Sequence, residues 1–552
     1  MVSDPFDFII VGAGSAGCAL AARLTEGGEF RVLLLEAGGE ATHPWMSTPL
    51  GVGRMLADPS VLWAFETEPE PEMNDTRLFW PRGKVLGGSS SINGMLYVRG
   101  DPVLYDKWRD TDCPGWGYED LLPLFKRIED RKGGDPDWRG VGGPIKVTDV
   151  AHKDAITEAF FHGCQSIGIP ATHDYNTKTY EGVSYLQLSV ENGKRCSAER
   201  AYLKPARHRE NLEVQTQALV TRVVFERGRA VGVEWRTKDG GLEVSTARKE
   251  VILCGGALCS PLILERSGIG DAAVLDAHDI DRTLHLPGVG ANLQDHLNVR
   301  ITYETDRAIT LNDALNNPVR GAMMALKYAL TRRGLMATST VTVHALMKSD
   351  AGLSSPDLKL QVAHVTGKDR FSMAKGLGID PWPGFSLNAF QLQPASRGSI
   401  HIRSADPADD PVIKAQYLTD PDDQKTVVKS LRLLRDLAKT PEVSGLIKRE
   451  VLPGPDVTTD DELLAYARAT GQTSWHTVGT CKMGSDAMAV VGSDLKVHGV
   501  EGLRIADASV VPFIVSANTN AAAYVVAERC ADLLVRAWNA PQDITINERR
   551  TG

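Results

Sequence analysis

The residues with the clearest chemical use lie near the start of the chain. Gly12, Gly14 and Gly17 form a Gly-x-Gly-x-x-Gly pattern, and the acid Glu36 follows at about the ~20-residue distance typical of dinucleotide sites. The first glycine permits a tight turn, the second lets backbone approach a pyrophosphate, and the third lets helix pack closely on strand. A carboxylate at Glu36 accepts hydrogen bonds from ribose hydroxyls. The pattern predicts a dinucleotide site without distinguishing NAD from FAD.

The segments around these residues predict the elements that position them. Residues 6–11 read as a buried strand, an apolar-periodic helix follows the glycines, and residues 31–36 read as a second strand. Further strands are predicted at 212–214, 218–225, 230–235, 250–253 and 503–507, with helices at 261–266 and 521–538. Strands so distant in sequence must rejoin in one sheet to bury their apolar faces. We expect a Rossmann-like α/β domain.

The sequence pattern in the middle of the chain differs from that of the flanking regions and predicts an α+β insert. Alternating strand candidates lie at 357–365, 385–393 and 399–403. A helix is predicted near 320–332, and we expect it to pack on the protein as an amphipathic helix, with contact to a membrane surface as the alternative. We expect an inserted antiparallel-sheet substrate domain at 306–468. The cofactor domain then comprises 1–305, with excursions into the substrate domain near 150–200, and 469–540, before a tail at 541–552.

Composition restricts the class of function. The net charge of -9 on 552 residues disfavours a nucleic-acid partner, which needs a basic surface. No apolar run reaches the ~18 residues of a membrane span, and the first strand begins too early for a signal peptide, so a cytoplasmic enzyme is expected. The eight scattered cysteines predict reduced thiols rather than a disulfide framework, and the thirteen histidines form no pattern typical of a metal site.

A second glycine- and serine-rich segment, at 80–95, suggests another close contact with a ligand. Its small residues let backbone approach a planar or phosphorylated group, and apolar neighbours such as Val85 and Ile92 suggest that the segment is buried.

At this point the chain resembles a known family, the glucose–methanol–choline (GMC) flavin oxidoreductases. The stretches 83–106 and 256–270 fit the two signatures of that family. The segment from Gly290 to His296, the pair Trp475 and His476, and the later pair Asn518 and Asn520 follow in the family's order. The segments 62–65, 79–84 and 481–484 are most similar to the branch of choline-dehydrogenase-like bacterial alcohol dehydrogenases.

The resemblance implies FAD and a residue set that would hold it. Members with a covalently tethered flavin carry His where this chain has Ile92, so a non-covalent FAD is expected. The resemblance places the main chain of Val220 near adenine, and Asn518 and Thr519 near the flavin ring. The full set of implied cofactor-binding residues is Gly12, Gly14, Ser15, Ala16, Gly17, Glu36, Ala37, Trp63, Arg82, Val85, Gly88, Asn93, Gly94, Met95, Val220, Trp475, Asp507, Ala508, Asn518 and Thr519.

The resemblance also implies the catalytic pair His476 and Asn520. The imidazole would remove the hydroxyl proton of a small-molecule alcohol while the α-carbon hydride leaves for flavin N5. The amide would orient the alcohol oxygen. Electrons would pass to a quinone or another carrier. An alcohol oxidase that uses oxygen is the close alternative, and a lyase on the same fold, a light-driven decarboxylase or a flavin-binding protein without turnover are weaker ones. The sequence does not predict the oligomeric state.

Departures from the family pattern concern the substrate. Choline is disfavoured because a trimethylammonium group favours a carboxylate and an aromatic cage, and our alignment places Thr342 where relatives carry Glu. Thr477 replaces the usual Pro after the catalytic His, and Ser516 and Ala517 precede Asn518 where Gly is common, so a non-standard alcohol is expected. Core packing is favoured over substrate contact for two groups of residues, which are Trp382, Phe385, Asn388 and Phe390, and the histidines His344 and His364.

Overall fold

The protein contains two large sheets with a cavity between them. The structure is a computed structural model that describes residues 5–367 and 378–539, so the tail expected at 541–552 lies outside the described residues. The helices of the described part are Ser15–Leu24, Val52–Met55, Pro102–Asp110, Tyr118–Ile128, Ala155–Ser166, Lys204–Ala206, Gly256–Arg266, Ala272–Ala277, Leu311–Asn316, Pro318–Thr331, Pro421–Lys439, Pro441–Ser444, Asp460–Thr470 and Asn520–Asn539.

The first sheet is mostly parallel and joins strands from both ends of the chain. Leu212–Thr216, Val32–Glu36, Phe6–Val11 and Leu242–Leu253 lie side by side in that order, and Leu503–Ile505 pairs in parallel with the end of Leu242–Leu253. Two antiparallel strands, Leu219–Glu226 and Arg229–Arg236, extend the sheet. Every residue of Phe6–Val11 and Val32–Glu36 is buried, as expected for strands covered on both faces. The predicted rejoining of distant strands is confirmed.

The helices Ser15–Leu24 and Asn520–Asn539 pack against each other beside this sheet. Glu528 is fully buried and links the two helices. Its carboxylate accepts hydrogen bonds from Arg23 Nε at 3.0 Å, Arg127 Nε at 2.7 Å and Tyr202 Oη at 2.9 Å. A buried carboxylate is tolerated only when it is paired and hydrogen-bonded in this way. The contact fixes the last helix, and with it the loop that precedes Asn520, against the glycine-rich turn.

The second sheet is formed chiefly by antiparallel strands from the middle of the chain. Its strands are, in spatial order, Arg449–Leu452, Leu297–Glu304, Gly384–Gln391, Leu358–Ala363, Val341–Met347 and Gly182–Tyr185, and Gln472–Thr473 pairs with Leu297–Glu304. Gly182–Tyr185, from the earlier part of the chain, joins this sheet by pairing with Val341–Met347. The strand Leu297–Glu304 belongs to this sheet, although the boundary expected at 305 assigned it to the cofactor domain.

Helices cover one face of the second sheet and leave the other face toward the cavity. Ala155–Ser166 and Pro421–Lys439 pack on the covered face. In the strand Gly384–Gln391, Phe385, Leu387 and Ala389 join that core, whereas Asn388 and Phe390 line the cavity. This is the two-residue alternation of a strand with two different faces.

Smaller sheets complete the described part. Leu62–Glu66 pairs with Phe79–Gly83, Ser399–His401 with Val412–Lys414, and Ile269–Gly270 with Leu284–His285, while Glu129–Asp130, Ile145–Asp149, Gln187–Glu191 and Lys194–Arg195 form one more sheet.

The helix Pro318–Thr331 differs from the amphipathic packing helix that the sequence suggests. Of its fourteen residues Tyr328 alone is buried, and Val319, Met323, Leu326 and Leu330 are between 59 and 77% exposed. The apolar stripe therefore faces outward, while other residues of the helix line the outer part of the cavity. None of the helices in the described part is both long and apolar enough to cross a membrane.

Candidate active site

A cavity of about 680 Å³ lies where the carboxyl ends of the parallel strands meet the open face of the second sheet. This is the position at which open α/β sheets bind ligands. Most of the residues singled out in the sequence line it: Gly12, Gly14, Ser15, Ala16, Glu36, Ala37, Trp63, Arg82, Gly88, Asn93, Gly94, Met95, Val220, Trp475, His476, Asp507, Ala508, Asn518, Thr519 and Asn520.

Backbone at the glycine-rich turn, which we call the cradle (residues 12–17 with Glu36), leaves room for a ligand. A Cβ on Gly14 would meet no atom within 4 Å, so this backbone faces open cavity. Gly12 adopts φ +101, and a Cβ there would lie 2.6 Å from the carbonyl oxygen of Cys254. The helix Ser15–Leu24 begins directly after Gly14 and directs its free N–H groups into the same space. These features fit a dinucleotide pyrophosphate.

Glu36 holds the cradle in shape and stays in contact with the cavity. Its two carboxylate oxygens accept the backbone N–H groups of Ala13 and Gly38, each at 2.8 Å. Burial raises the pKa of this carboxyl to about 7, against the lowering effect of the same N–H donors. Asp507 likewise holds backbone in place on the other side of the cavity. It accepts hydrogen bonds from Gly256 N at 2.8 Å and Ser260 Oγ at 2.6 Å.

Two residues of the predicted cofactor set do not line the cavity. Val85 is 1% exposed and packs in an apolar cluster with Ile92. Gly17 is buried in the helix, where a Cβ would lie 1.9 Å from the carbonyl oxygen of Gly12. Gly17 therefore permits close packing of the helix on the glycine-rich turn. Val85 supports the 80–95 segment through its packing in the apolar cluster. Ile92 lines the cavity with a side chain that cannot form a covalent bond to a flavin.

The histidine that the sequence marks as catalytic is held from its backbone by Asp295. The N–H of His476 donates to Asp295 Oδ1 at 2.6 Å, and the other carboxylate oxygen accepts hydrogen bonds from the hydroxyls of Tyr417 and Thr473. Trp475 adopts φ +59, a conformation uncommon for a bulky residue, which turns the chain so that His476 reaches the cavity.

Hydrogen bonds assign the proton on His476. His296 Nε2 lies 2.9 Å from the carbonyl oxygen of Leu392, which can only accept, so this nitrogen carries the proton of His296. The bare Nδ1 of His296 then accepts from Nδ1–H of His476 at 3.0 Å. The remaining nitrogen of His476, Nε2, is left with a lone pair. It accepts a hydrogen bond from Nδ2 of Asn518 at 2.8 Å.

The surroundings keep both imidazoles neutral. Burial lowers the pKa of His296 to about 3 and also lowers the pKa of His476 well below its ordinary value. The nearby His296, Lys359 and Arg82 lower the pKa of His476 further. The unprotonated form that a general base needs is therefore the form present at neutral pH.

The two asparagines lie in positions opposite to the expected ones. The sequence analysis assigns the catalytic role to Asn520 and a flavin-side role to Asn518. In the structure Asn518 contacts His476, whereas Asn520 donates from Nδ2 to Ser15 Oγ at 2.7 Å. The reason is local: Asn520 is the first residue of the helix Asn520–Asn539, and its side chain is fixed on the cradle, while Asn518 still lies in the preceding loop.

The open face of the second sheet forms the far wall of the cavity, which we call the chamber. Its side chains come from three adjacent strands and are Asn298, Lys359, Gln361, Asn388 and Phe390. Core packing holds for Phe385 as expected. Phe390 also packs in a core cluster but lines the cavity as well, and the buried Asn388 lines the cavity rather than an apolar core. Lys359 is 4% exposed and donates from Nζ to Asn518 Oδ1 at 3.0 Å.

Other residues named from the sequence lie away from the cavity. Thr342 is fully buried and shares a 2.7 Å hydrogen bond with Thr157, so its identity does not decide whether choline fits. His364 is a hydrogen-bonded core histidine as expected, with Asp154 Oδ1 at 3.0 Å. His344 is also buried, but among the described residues neither of its ring nitrogens has a hydrogen-bond partner.

Sequence reasoning missed three residues that shape the site. Asp295 and His296 lie inside a segment that the family order singles out, and a role could have been sought there because both side-chain types bind protons. Lys359 carries no such signal. It lies in an alternating strand whose inward face can be identified only once its neighbours are known.

Comparisons with known proteins identify the family of this chain. Models of the GMC oxidoreductase family match residues 6–298 and 394–527. The chain is 38% identical over 533 residues to the alcohol dehydrogenase [acceptor] of Pseudomonas putida, covering 96% of each chain. It is 37% identical to the oxygen-dependent choline dehydrogenase of Rhizobium rhizogenes, covering 98% of each. The crystal structure of pyridoxine 4-oxidase from Mesorbium loti superposes with a TM-score of 0.86 at 30% identity, covering 95% of this chain and 98% of that one. This chain belongs to the GMC oxidoreductase family.

Proposed function

We propose that this chain oxidises an alcohol to an aldehyde or ketone with His476 as the general base and Asn518 as the group that holds the alcohol oxygen. Family membership makes the chain an FAD-dependent oxidoreductase that acts on CH–OH donors. Bound FAD supplies the hydride acceptor of this chemistry. Its proposed binding groups are the cradle, Asp507 and the 80–95 segment, with no covalent tether because Ile92 offers no nucleophile.

The protein's own part is to position the alcohol and remove a proton. When the alcohol binds, its hydroxyl replaces the 2.8 Å hydrogen bond between Asn518 Nδ2 and His476 Nε2. The lone pair of Nε2 then accepts the hydroxyl proton, and Nδ2 donates to the same oxygen as negative charge develops. Asp295 fixes the backbone of the base and His296 fixes its tautomer. Arg82, which is held by Thr477 at 2.6 Å, adds positive charge nearby.

The single observation that carries the proposal is the ordered chain of hydrogen bonds from Leu392 through His296 to His476. It leaves Nε2 of His476 unprotonated at the cavity, where this nitrogen accepts a hydrogen bond from the amide of Asn518. An imidazole with a fixed tautomer, whose unprotonated Nε2 accepts a hydrogen bond from an amide that can donate to an alcohol oxygen instead, is the arrangement that proton abstraction requires.

Electron transfer away from the cofactor is also proposed, to a quinone or another carrier rather than to oxygen. The match to an alcohol dehydrogenase [acceptor] supports this choice. A cytoplasmic location stays a prediction from sequence. The proposed domains are the first-sheet domain, which holds the cofactor, and the second-sheet domain, which holds the substrate, with their boundary before Leu297 rather than at 305.

Anaerobic flavin reduction tests the proposal. The purified holoenzyme is mixed with aliphatic, aryl, polyol, polyether and amino alcohols and with hydroxycarboxylates while flavin absorbance is followed. Bleaching by at least one class is expected. Oxygen and a soluble quinone, added separately to the reduced enzyme, then separate oxidase from dehydrogenase, and faster reoxidation by the quinone is expected. Failure of every alcohol to bleach the flavin would contradict the proposal.

A further inference from the structure

Among the residues that the structure describes, the buried lysine of the chamber has no anionic partner. Lys359 lies on the strand Leu358–Ala363, is 4% exposed and lines the cavity together with His476. Its Nζ donates to Asn518 Oδ1, a neutral acceptor. Within residues 5–367 and 378–539, no Asp or Glu forms an ion pair with it or shifts its pKa. Burying an ammonium group is unfavourable unless the charge is paired.

Polar atoms around Lys359 are also left without partners. The amide oxygens of Asn298, Gln361 and Asn388 are buried, and in the described part of the chain they have no hydrogen-bond partner. Strand register puts them together: Lys359 and Asn298 both lie opposite Phe390, and Gln361 lies opposite Asn388. Buried polar atoms normally have partners, so a cluster of unsatisfied ones facing a cavity indicates a polar ligand.

We propose that Lys359 binds the carboxylate of the substrate, so that the chain oxidises a short hydroxycarboxylate whose further hydroxyl or N–H groups face the amide oxygens of Asn298, Gln361 and Asn388. This inference rests on the proposed function and names its substrate class. Lys359 Nζ and His476 Nε2 contact opposite ends of the same amide, that of Asn518. A carboxylate on Lys359 and a hydroxyl on His476 therefore belong to one small molecule, in which only a few bonds separate the two groups.

Two further properties of the site agree with an anionic ligand. A trimethylammonium alcohol would place its charge beside Lys359, with Arg82 also lining the cavity, and like charges at close range repel. Burial lowers the pKa of Lys359 to about 7, and an anion beside Nζ raises the pKa again and keeps the ammonium group protonated. The histidines near it, His476, His296 and His344, have lowered pKa values and remain neutral.

The test compares ω-hydroxycarboxylates of three to six carbons with the amides of the same lengths in anaerobic flavin reduction. Wild-type holoenzyme should favour the best acid over its amide by roughly 10- to 100-fold in the second-order rate constant. Lys359→Met should abolish this ratio, whereas Lys359→Arg should keep part of it. Because the ratio is taken within one variant, any loss of Asn518 positioning affects acid and amide alike and cancels. Lys327→Met, at an exposed lysine of the helix Pro318–Thr331, is the matched control and should keep the wild-type ratio.

A binding measurement separates this inference from the proposed function. Propanoate and propanamide, which carry no hydroxyl group, are titrated into oxidised holoenzyme while the flavin spectrum is followed. Propanoate should bind more tightly to wild type, with the preference lost in Lys359→Met and weakening as pH rises through about 7. Equal binding of acid and amide, or an unchanged preference in Lys359→Met, would overturn the inference. If propanoate binds as expected but no alcohol reduces the flavin, the proposed function fails and the anion site stands.

Discussion

The cradle and the chamber face the same cavity, but they are built in different ways. The cradle is formed by backbone from one contiguous segment, with Glu36 closing it through two N–H contacts. The chamber is formed by side chains from three strands that are far apart in sequence. A cofactor site of the first kind can be recognised from spacing alone. A substrate site of the second kind depends on which residues the sheet register places side by side.

The largest effect is expected from a substitution that fills the cradle with a side chain. Gly14→Val introduces a side chain into space where a Cβ meets nothing within 4 Å, which is the proposed position of the pyrophosphate. The variant should purify without yellow colour, and added FAD should not raise its melting temperature. Gly27→Val, in an exposed turn, is the matched control and should retain flavin. A Gly14→Val protein with a full complement of FAD would show that the cradle does not hold the cofactor.

The next largest effect is expected when the catalytic base beside the chamber is removed and the cradle is left intact. His476→Ala should keep FAD but reduce it roughly 10²- to 10⁴-fold more slowly with the preferred alcohol, the usual contribution of a general base. Stopped-flow absorbance under anaerobic conditions measures this rate. A wild-type rate in the variant would remove His476 from the mechanism.

A smaller effect on the rate of flavin reduction is expected when the hydrogen-bond partner of the catalytic base is removed. His296→Leu removes the Nδ1 acceptor that fixes the tautomer of His476. Partners that orient a functional imidazole typically contribute about 10- to 100-fold, so flavin reduction should slow by that factor while the FAD content stays unchanged. An unchanged reduction rate would mean that the tautomer is set by another group.

The smallest effect concerns pH. Because the pKa of His476 is well below its ordinary value, the base is already unprotonated at pH 6.5. In Lys359→Met, which removes the nearby ammonium group whose pKa is about 7, the rate of flavin reduction for a neutral alcohol should therefore stay flat as pH falls from 8 to about 6.5, the ordinary imidazole pKa. It should decline only at lower pH. A rate that halves near pH 6.5 would show that the imidazole titrates at its ordinary value.

Much of the fold could be predicted because each prediction used a local pattern. The strand before Gly12, the helix after it and the last helix follow from apolar periodicity, and strands 250–253 and 503–507 could be expected to meet because each needed two covered faces. Phe385 and Phe390 show where such reasoning stops. Both are aromatic residues of one strand, yet they lie on opposite faces, and only the helix packed on one side determines which face is core.

The site was predicted most accurately where backbone carries the function. Gly14 and Glu36 line the cavity as expected, since their roles follow from spacing. Asn518 and Asn520 were exchanged because their functions depend on where the last helix begins, and helix starts are uncertain by a residue or two from sequence. Lys359 was missed because nothing in its own strand distinguishes a surface lysine from one that faces a cavity.

The most direct test of this account measures anaerobic flavin reduction by the preferred alcohol in Asn518→Ala and Asn520→Ala side by side. Asn518 donates toward the nitrogen that takes the proton, so its loss should slow reduction roughly 10²- to 10³-fold, the usual cost of removing one such donor. Asn520 contacts Ser15 in the cradle, so its loss should change the reduction rate little and weaken FAD binding instead. The reverse result, with slow reduction in Asn520→Ala and normal reduction in Asn518→Ala, would contradict the geometry of the site.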